Sequence, residues 1–499
     1  MPTTSEEREL KLLVPADFQV PPLTGIRGIA GVAEGEPLEL SATYYDTPDL
    51  RLMNRGVTLR CRVGEERGPV WTLKLPRDAD PTLRSEVEFP GNQPQPPADV
   101  QDLVFGLTLG APLSPVVEIK TRRRRWLLSD SEGAALAELV DDRVSVLDGS
   151  LIKDAFREIE IEARGIQARD LARIAAVIEK AGGYPEQRSK ASRALELLNG
   201  EQSNGALPVE VSPRELVSDA VRPALAEAVR RVQMYDPYAR LGAVEGVHRM
   251  RVAVRRLRSV LRTFAPIIDA TKVEAPVEGL RWLGRLLGEV RDADVLLMHL
   301  EAEMDAPLQS ALGPLRERRQ SAMRELAEGM RAQRYVEVLK TLEALAGDEQ
   351  FVTPSEEPCE TALPALVASD WRKLRKAARA LGPDAPEESL HRVRILGKRA
   401  RYAAEMAAGY TTGKTQRGLR DFAARAETIQ NVLGEHQDAT LARDALLAMG
   451  QEEGVGGATG VQIGRLAERS EQRAIELRAR FRKLWRRMET KQKFAWSKA

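Results

Sequence analysis

The first strand-like segment of the chain carries ionic side chains of both signs on one face. In the sequence Glu7-Arg8-Glu9-Leu10-Lys11, the two-residue repeat of an extended strand places Glu7, Glu9 and Lys11 side by side. Carboxylate oxygens suit Mg²⁺ and an ammonium group suits a phosphate oxygen, so such a face can hold both. On a single strand the pattern usually marks a solvated surface, and its meaning therefore depends on the other strands.

Further segments of the first 200 residues repeat this alternation between turns rich in Gly, Pro and Asp. The strands predicted for this antiparallel unit are residues 6–14, 39–46, 57–64, 70–76, 84–90, 115–126, 134–143 and 156–164. Their polar faces are almost wholly ionic, which an ordinary one-sided sheet does not require. The pattern favours a closed barrel with a charged lumen, covered on its apolar outside by helices at 97–108, 167–182 and 187–199.

The distribution of histidine and cysteine restricts the metal chemistry of this barrel. All four histidines lie in the second half of the chain, beginning at His248. A metal in the barrel would therefore have oxygen ligands, which favours Mg²⁺ or Mn²⁺ over a zinc-type site. Cys61 and Cys359 have no metal-type spacing and indicate no disulfide framework, so we expect a cytoplasmic protein. No apolar stretch predicts a signal peptide or a membrane span.

A lumen of this kind suits phosphoryl transfer to water. The transition state spreads charge over the phosphoryl oxygens, so fixed cations and a divalent metal supply most of its stabilisation. Carboxylates can hold the metal and orient the attacking water. The chain has no G-x-x-x-x-G-K-[ST] loop, which argues against a P-loop nucleotide hydrolase.

Eight motifs follow one another in this region. They are Glu7-x-Glu9-x-Lys11, Tyr44-Tyr45-Asp46-Thr47, Leu59-Arg60-x-Arg62, Thr72-Leu73-Lys74, Arg84-x-Glu86-x-Glu88, Glu118-x-Lys120-x-Arg122, Glu158-x-Glu160 and Ser189-Lys190-x-x-Arg193. Together they resemble the CYTH domain of the triphosphate tunnel metalloenzymes, over about residues 5–200. The resemblance implies an eight-stranded tunnel that binds a triphosphate and a divalent metal ion.

The resemblance also implies roles for individual residues. Phosphate contacts would come from Lys11, Arg60, Arg62, Lys74, Arg84, Lys120, Arg122 and Lys190, and strand parity adds Arg124. Metal ligands would be Glu7, Glu9, Glu158 and Glu160, with Glu86, Glu88, Glu118, Glu138 and Asp142 as further ligands or water-positioning groups. Glu7, Glu9, Lys11 and Lys74 are predicted to be catalytic. A slip of one residue within the four-arginine run would exchange Arg122 and Arg124 for Arg123 and Arg125.

The second half of the chain is predicted to be helical and internally duplicated. Residues 201–213 carry turn and breaker residues and separate a first domain, 1–200, from a second, 214–499. Similar His-Arg runs and Leu-Gly-Glu motifs recur at similar separations, which indicates two related bundles at about 214–350 and 360–499. The predicted fold class is therefore α+β multidomain, with an eight-stranded antiparallel barrel, flanking helices and an all-α domain.

Basic stripes mark the two repeats. His248, Arg251, Arg255, Arg258 and Arg262 share one helical face, and His391, Arg394, Lys398 and Arg401 reproduce the spacing. This half resembles the CHAD domain, which is associated with inorganic polyphosphate. By the resemblance, the stripes would line a polyphosphate-binding surface, to which Arg281 and Arg285 are added as candidates. The histidines are expected to contact anions or to form structural hydrogen bonds, and Asp292 and Asp438 to pair with stripe arginines.

The sequence thus predicts a metal-dependent hydrolase that converts inorganic triphosphate to phosphate and diphosphate, joined to a polyphosphate-binding domain. An organic triphosphate as substrate, either ATP (hydrolysed or cyclised) or thiamine triphosphate, remains an alternative. So does a protein that binds polyphosphate without turnover. We expect a cytoplasmic location, with polyphosphate granules as a candidate site. The sequence favours neither a membrane nor a nucleic-acid partner.

Overall fold

The chain forms two compact units, which a computed structural model places at Met1–Leu207 and Pro208–Ala499. The structure describes residues 3–65, 68–77, 80, 82–91, 95–199, 216–304, 309–382, 384–451 and 457–490. The predicted linker, residues 201–213, lies outside the described residues.

A closed barrel of eight antiparallel strands forms the first unit, as predicted. Its strands are β1 (Thr3–Val14), β3 (Leu38–Asp46), β4 (Thr58–Val63), β5 (Val70–Pro76), β6 (Leu83–Pro90), β7 (Ser114–Ser129), β8 (Ala135–Asp148) and β9 (Leu151–Ala163). They pair in the order β1-β6-β5-β4-β3-β7-β8-β9, and β9 pairs back with β1. Two short strands that the sequence did not predict, β2 (Gly31–Glu34) and β10 (Tyr184–Pro185), extend the sheet beside β7 and β1.

Helices cover the apolar outside of the barrel. On one side α2 (Ala168–Lys180) packs Leu171, Ile174 and Ile178 against the outer residues of β1, β8 and β9, including Leu12 and Ile159. Each fully buried aliphatic side chain of this kind contributes about 1.5–3 kcal/mol. The described residues of this unit also form α1 (Ala98–Thr108) and α3 (Lys190–Asn199). The prediction that α3 covers the outside is wrong, because it packs against the inward face of β7. The outer apolar faces leave the charged faces of most strands turned inward.

In the first half of β7, the apolar side chains point into the barrel and the charged side chains point outward. Val117 and Ile119 pack with Ala191 and Ala194 of α3, together with Val144 and Val146 of β8. Four residues predicted to line the lumen therefore lie on the outer face and are exposed: Glu118, Lys120, Arg122 and Arg124. Their predicted lumen position is wrong, because the prediction assumed that apolar side chains point outward along the whole barrel. Where α3 packs, the apolar residues point inward instead.

The second unit is helical, as predicted. Its helices are α4 (Val217–Arg240), α5 (Val244–Thr263), α6 (Ala270–Glu303), α7 (Gly313–Arg331), α8 (Gln333–Gly347), α9 (Cys359–Arg379), α10 (Glu387–Gly409), α11 (Gly413–Met449) and α12 (Gly457–Thr490). In the first half α5 packs between α4 and α6, and in the second half α10 packs between α9 and α11. The halves meet where α5 contacts α10 and α6 contacts α11. Within the described residues, no helix is both long and apolar enough to cross a bilayer.

Candidate functional site

A cavity of about 840 Å³ lies inside the barrel and is lined mainly by ionic side chains. Of the predicted residues, its lining includes Glu7, Glu9, Lys11, Arg60, Arg62, Lys74, Arg84, Glu86, Glu88, Glu138, Glu160 and Lys190. Asp142 and Glu158 are fully buried behind this wall and contact Lys190. The structure therefore gathers most of the predicted site, although the residues come from strands far apart in sequence.

Lys74 of β5 forms ion pairs with carboxylates of two other strands, β1 and β6. Its ammonium nitrogen lies 2.7 Å from both Glu7 Oε2 and Glu86 Oε1, and 3.6 Å from Glu9 Oε2. Burial alone would lower the pKa of Lys74, but Glu9, Glu7 and Glu86 raise it above its usual value. Lys74 is thus a permanent cation held by carboxylates, at a position from which it can also reach a phosphate oxygen.

A second cluster surrounds Lys190, the first residue of α3. Its ammonium nitrogen lies 2.9 Å from Asp142, 2.6 Å from Glu158 and 2.8 Å from Glu160. One oxygen from each of these carboxylates lies within 4.8 Å of the others, as metal ligands would. Burial would raise the pKa of Glu160, but Lys190, Lys11 and Arg123 hold it well below its usual value. The cluster fits a divalent cation by its oxygen donors, although protein cations already neutralise it.

A further set of carboxylates lies on β1 and β9: Glu7 and Glu9 share Lys74, and Glu162 is paired with Arg164 at 3.1 Å. Glu9 is directly opposite Glu162 in the strand register. Glu9 Oε2 is buried and accepts no hydrogen bond from the described residues. Burial, followed by the nearby carboxylates of Glu7 and Glu160, raises the pKa of Glu162 to about 8. Glu7, Glu9 and Glu162 therefore add negative charge to the cavity lining, which suits Mg²⁺ or Mn²⁺, but among the described residues the oxygens that converge as metal ligands do are those of Asp142, Glu158 and Glu160.

Arginines form the opposite side of the cavity. Arg60 and Arg62 both line it from β4, and the Nε atom of each is buried without a hydrogen-bond partner among the described residues. The neighbouring Arg60, and then burial, lower the pKa of Arg62 to about 10, although Glu65 lies 2.5 Å from Arg62. The positive charges of Arg60 and Arg62 repel each other, and an anion bound between them would offset this repulsion. This wall is therefore a candidate phosphate-binding surface.

Several cavity residues were missed by the sequence analysis. Glu162 shares strand parity with Glu158 and Glu160, and this signal was available in the sequence. Arg123 and Arg125 line the cavity in place of Arg122 and Arg124, so the alternative one-residue slip describes the actual geometry. Glu65, Arg164 and the hydrogen-bonded neighbour of Arg60, Tyr44, also line it. No repeat pattern in the sequence distinguished these last three.

In the helical unit, the two basic stripes come together where α5 packs against α10. Among the described residues, Arg255, Arg394 and Lys398 form no ion pair, and the Nε atoms of Arg255 and Arg394 are buried without a hydrogen-bond partner. Burial, then Arg255 and Arg394, lower the pKa of Lys398 to about 6. These three side chains form what we call the central basic cluster. An arrangement of this type favours a polyanion.

Other stripe residues already have partners or lie farther along the helices. Arg251 pairs with Asp292 at 2.9 Å, which confirms that expectation for Asp292. Arg401 pairs with Glu405 and Glu427, each at 2.6 Å. Arg262 lies beyond the central basic cluster. Burial, followed by the charges of Arg399 and Arg258, lowers its pKa to about 10.

The remaining stripe candidates lie at its edges. Arg281 is exposed and pairs with Glu278 at 3.1 Å, and Arg285 is also exposed. His391 is exposed and lies 3.3 Å from Gln437 through Nδ1, whereas burial and Arg291 lower the pKa of His248. Asp438 favours the charged form of Arg394 but forms no ion pair with a stripe arginine among the described residues, unlike the predicted pairing. A low pKa keeps His248 neutral, so it contributes no charge to anion binding near neutral pH.

Comparison with known proteins divides the chain at the same place. Residues 5–194 match the family model of the CYTH domain, and residues 223–447 match that of the CHAD domain. An uncharacterised protein of Mycobacterium tuberculosis (strain H37Rv) is 30% identical over 480 residues, covering 89% of each chain. The crystal structure of the CHAD domain from the plant Ricinus communis is 25% identical, with a TM-score of 0.48, and covers 57% of this chain and 96% of its own. PptA from Streptomyces chartreusis is 20% identical, with a TM-score of 0.45, and covers 55% of this chain and 100% of its own.

Proposed function

This chain belongs to the family of proteins that join a CYTH domain to a CHAD domain, and we propose that its barrel hydrolyses inorganic triphosphate to phosphate and diphosphate. CYTH domains occur in triphosphate hydrolases and cyclases that depend on a metal ion, and CHAD domains are associated with polyphosphate. The chain is accordingly an enzyme of the triphosphate-processing type. The inorganic substrate, the choice of Mg²⁺ or Mn²⁺ and the residue roles below are part of the proposal.

The observation that carries the proposal is the separation of charge across the cavity. Arg60 and Arg62 line the cavity from β4, whereas Glu7, Glu9 and Glu162 line it from β1 and β9, which are not neighbours of β4 in the barrel. A linear triphosphate can lie between them with its outer oxygens against the arginines, and the carboxylates would hold a divalent cation. The arginines would then neutralise charge on the phosphate oxygens, and the carboxylates would balance the charge of the metal ion.

The protein side chains bind and orient the substrate in this arrangement. Arg60, Arg62 and Lys74 contact non-bridging oxygens, and their fixed positions stabilise the charge that spreads over the transferred group in the transition state. The carboxylates of the cavity would hold the metal ion and orient a water molecule toward the terminal phosphorus. When bound, the metal polarises a phosphoryl oxygen and acidifies bound water.

The cavity lining favours an inorganic substrate over a nucleotide or thiamine ester. Among the described lining residues Tyr44 is the one aromatic side chain, and it bonds to Arg60. A base or thiazole ring commonly stacks on an aromatic side chain, and Tyr44 is already engaged by Arg60. Phosphate release should therefore be faster from tripolyphosphate than from ATP or thiamine triphosphate, with either metal present.

Two single substitutions test the barrel assignment. Glu9→Gln removes a carboxylate from the metal wall, and Lys74→Ala removes the cation held between three carboxylates. Each should lower kcat/KM for tripolyphosphate by about 100-fold or more, as expected for loss of a fixed charge at the reacting group. Glu118→Gln, on the outer face of β7, is the matched control and should retain wild-type activity. Full activity in both Glu9→Gln and Lys74→Ala would refute the assignment.

For the helical unit, we propose that the central basic cluster binds inorganic polyphosphate. Combined Arg255→Ala and Arg394→Ala substitutions in the full chain should weaken binding of long-chain polyphosphate by about tenfold or more and reduce its salt dependence. Arg249→Ala is the control, because Arg249 lies on the same helix but is paired with Glu245 at 2.7 Å. Equal binding by all three proteins in a gel-shift assay would contradict the location of this site.

A further inference from the structure

The central basic cluster contains one side chain that can lose its charge. Lys398 occupies in the second repeat the position that Arg255 occupies in the first, seven residues after the stripe histidine. An arginine remains protonated at any physiological pH, whereas a lysine that is packed among cations can release its proton. Because the second repeat has a lysine where the first has an arginine, Lys398 can relieve repulsion within the cluster by releasing its proton.

The main charges around Lys398 come from α5, α10 and α11. Arg251 and Arg255 of α5, and Arg394 of its own helix, favour its neutral form, whereas Asp438 of α11 favours the charged form. Across this face lie also His248 of α5, with Arg291 and Asp292 of α6. Asp370 of α9, which also packs against α10, acts on Arg262 and is not among the main charges on Lys398.

None of the nearby carboxylates compensates the cluster fully. Asp292 is engaged by Arg251 at 2.9 Å, and the described residues place no carboxylate within 4.0 Å of the Lys398 ammonium. Lys398 is also only partly exposed, so water screens its neighbours incompletely. The cluster therefore lacks negative charge, and a bound phosphate chain would supply it.

We propose that binding of a polyphosphate chain to the central basic cluster is coupled to the uptake of a proton by Lys398. The inference rests on the proposed polyphosphate-binding role of this surface. In the free protein, burial and then repulsion from Arg255 and Arg394 favour the neutral amine. A polyphosphate chain reverses the local potential, so the amine takes a proton from solvent and becomes a third cationic contact.

The coupling has a definite direction with pH. The free cluster holds Lys398 mostly neutral above pH of about 6, whereas the complex holds it protonated to higher pH. Between these two values, binding consumes a proton, and affinity rises as pH falls, by at most about tenfold for each pH unit. Below the lower value both states are protonated and the dependence ends. Polyphosphate would thus be released as the pH rises.

Isothermal titration calorimetry of the full chain with polyphosphate of defined length tests this coupling. Titrations near neutral pH in two buffers of different ionisation enthalpy give the number of protons taken up per bound chain. The wild type should take up nearly one proton more than Lys398→Arg, which keeps a permanent charge at the same place. Subtracting the variant removes proton exchange by the phosphate chain itself and by the histidines.

The possible results separate the two proposals. Binding by both proteins with equal proton uptake would overturn the coupling and leave the polyphosphate-binding role standing. Absence of binding by the wild type would overturn the binding role itself. As a measurement that needs no variant, an amine-reactive reagent should label Lys398 in the free protein near neutral pH, and polyphosphate should suppress that labelling. Lys398 that resists labelling until the pH approaches the usual lysine range would also overturn the coupling.

Discussion

Arg123 lies directly opposite Asp142 in the register of β7 and β8, and its Nε and Nη2 atoms donate hydrogen bonds of 2.9 and 2.7 Å to the two carboxylate oxygens. Asp142 is fully buried and is also held by Lys190. This pair fixes which face of β7 points into the barrel, because shifting the strand by one residue would turn Arg123 outward. It also places a guanidinium group beside Glu160.

The four-arginine run provides a matched test of this register. Arg123→Gln should lower triphosphate turnover by at least about tenfold and destabilise the barrel, because it leaves a buried carboxylate with one partner fewer. Arg122→Gln changes a neighbouring side chain that is 68% exposed, and should leave both activity and melting temperature unchanged. Steady-state phosphate release and thermal unfolding measure the two effects. The opposite ranking of the variants would mean that β7 has the other register.

Glu162 is expected to contribute to the metal site. Because Glu162→Gln removes one anionic oxygen from the group formed with Glu7 and Glu9, the concentration of Mg²⁺ or Mn²⁺ needed for half-maximal activity should rise by about tenfold or more. The register places Glu162 opposite Glu9, so Glu9→Gln should produce the same change. Metal titrations of phosphate release measure both. An unchanged metal requirement in Glu162→Gln would exclude Glu162 from the site.

The barrel could be predicted from sequence because its faces alternate between wholly ionic and apolar residues. Alternation fixes which residues share a face but not which face points inward. For Lys74 and Glu86, the prediction that the charged side chain points inward was correct, because the apolar residues of these strands lie on the outer face. For Lys120 and Arg122 it failed, because α3 fills part of the barrel with Ala191 and Ala194 and the inward face is apolar there. The packing of α5 against α10 depends on contacts between distant segments, which the stripe spacing does not contain.

A buried ion pair outside the cavity is another feature that the alternation of the strands does not predict. Arg157 and Asp141 form two hydrogen bonds of 2.8 Å on the outer face, and Arg157 also donates to the carbonyl oxygen of Ala16. Asp141→Ala should reduce the free energy of unfolding by about 3–5 kcal/mol, because it leaves a buried guanidinium unpaired. Replacing both residues by apolar ones should recover most of this loss. Urea unfolding measures the effect, and a loss below about 1 kcal/mol would contradict it.

Lys398 should lower the stability of the helical unit at neutral pH. Its pKa is lowered to about 6 in the fold but is near 10.5 in the unfolded chain, so between these values the unfolded chain binds more protons. The contribution of Lys398 to stability therefore rises with pH across this window, and its penalty is greatest below the lower value.

Replacing Lys398 by methionine removes this penalty while keeping the aliphatic part of the side chain. Lys398→Met should raise the free energy of unfolding near neutral pH by about 1–3 kcal/mol, well below the full value of the pKa shift because solvent screens the cluster. The gain should shrink as the pH approaches the lysine range. Polyphosphate binding should weaken in the same variant, since a third cationic contact is lost. Thermal unfolding at several pH values measures the first effect, and a variant no more stable than the wild type at any pH would show that Arg255 and Arg394 do not destabilise the charged lysine.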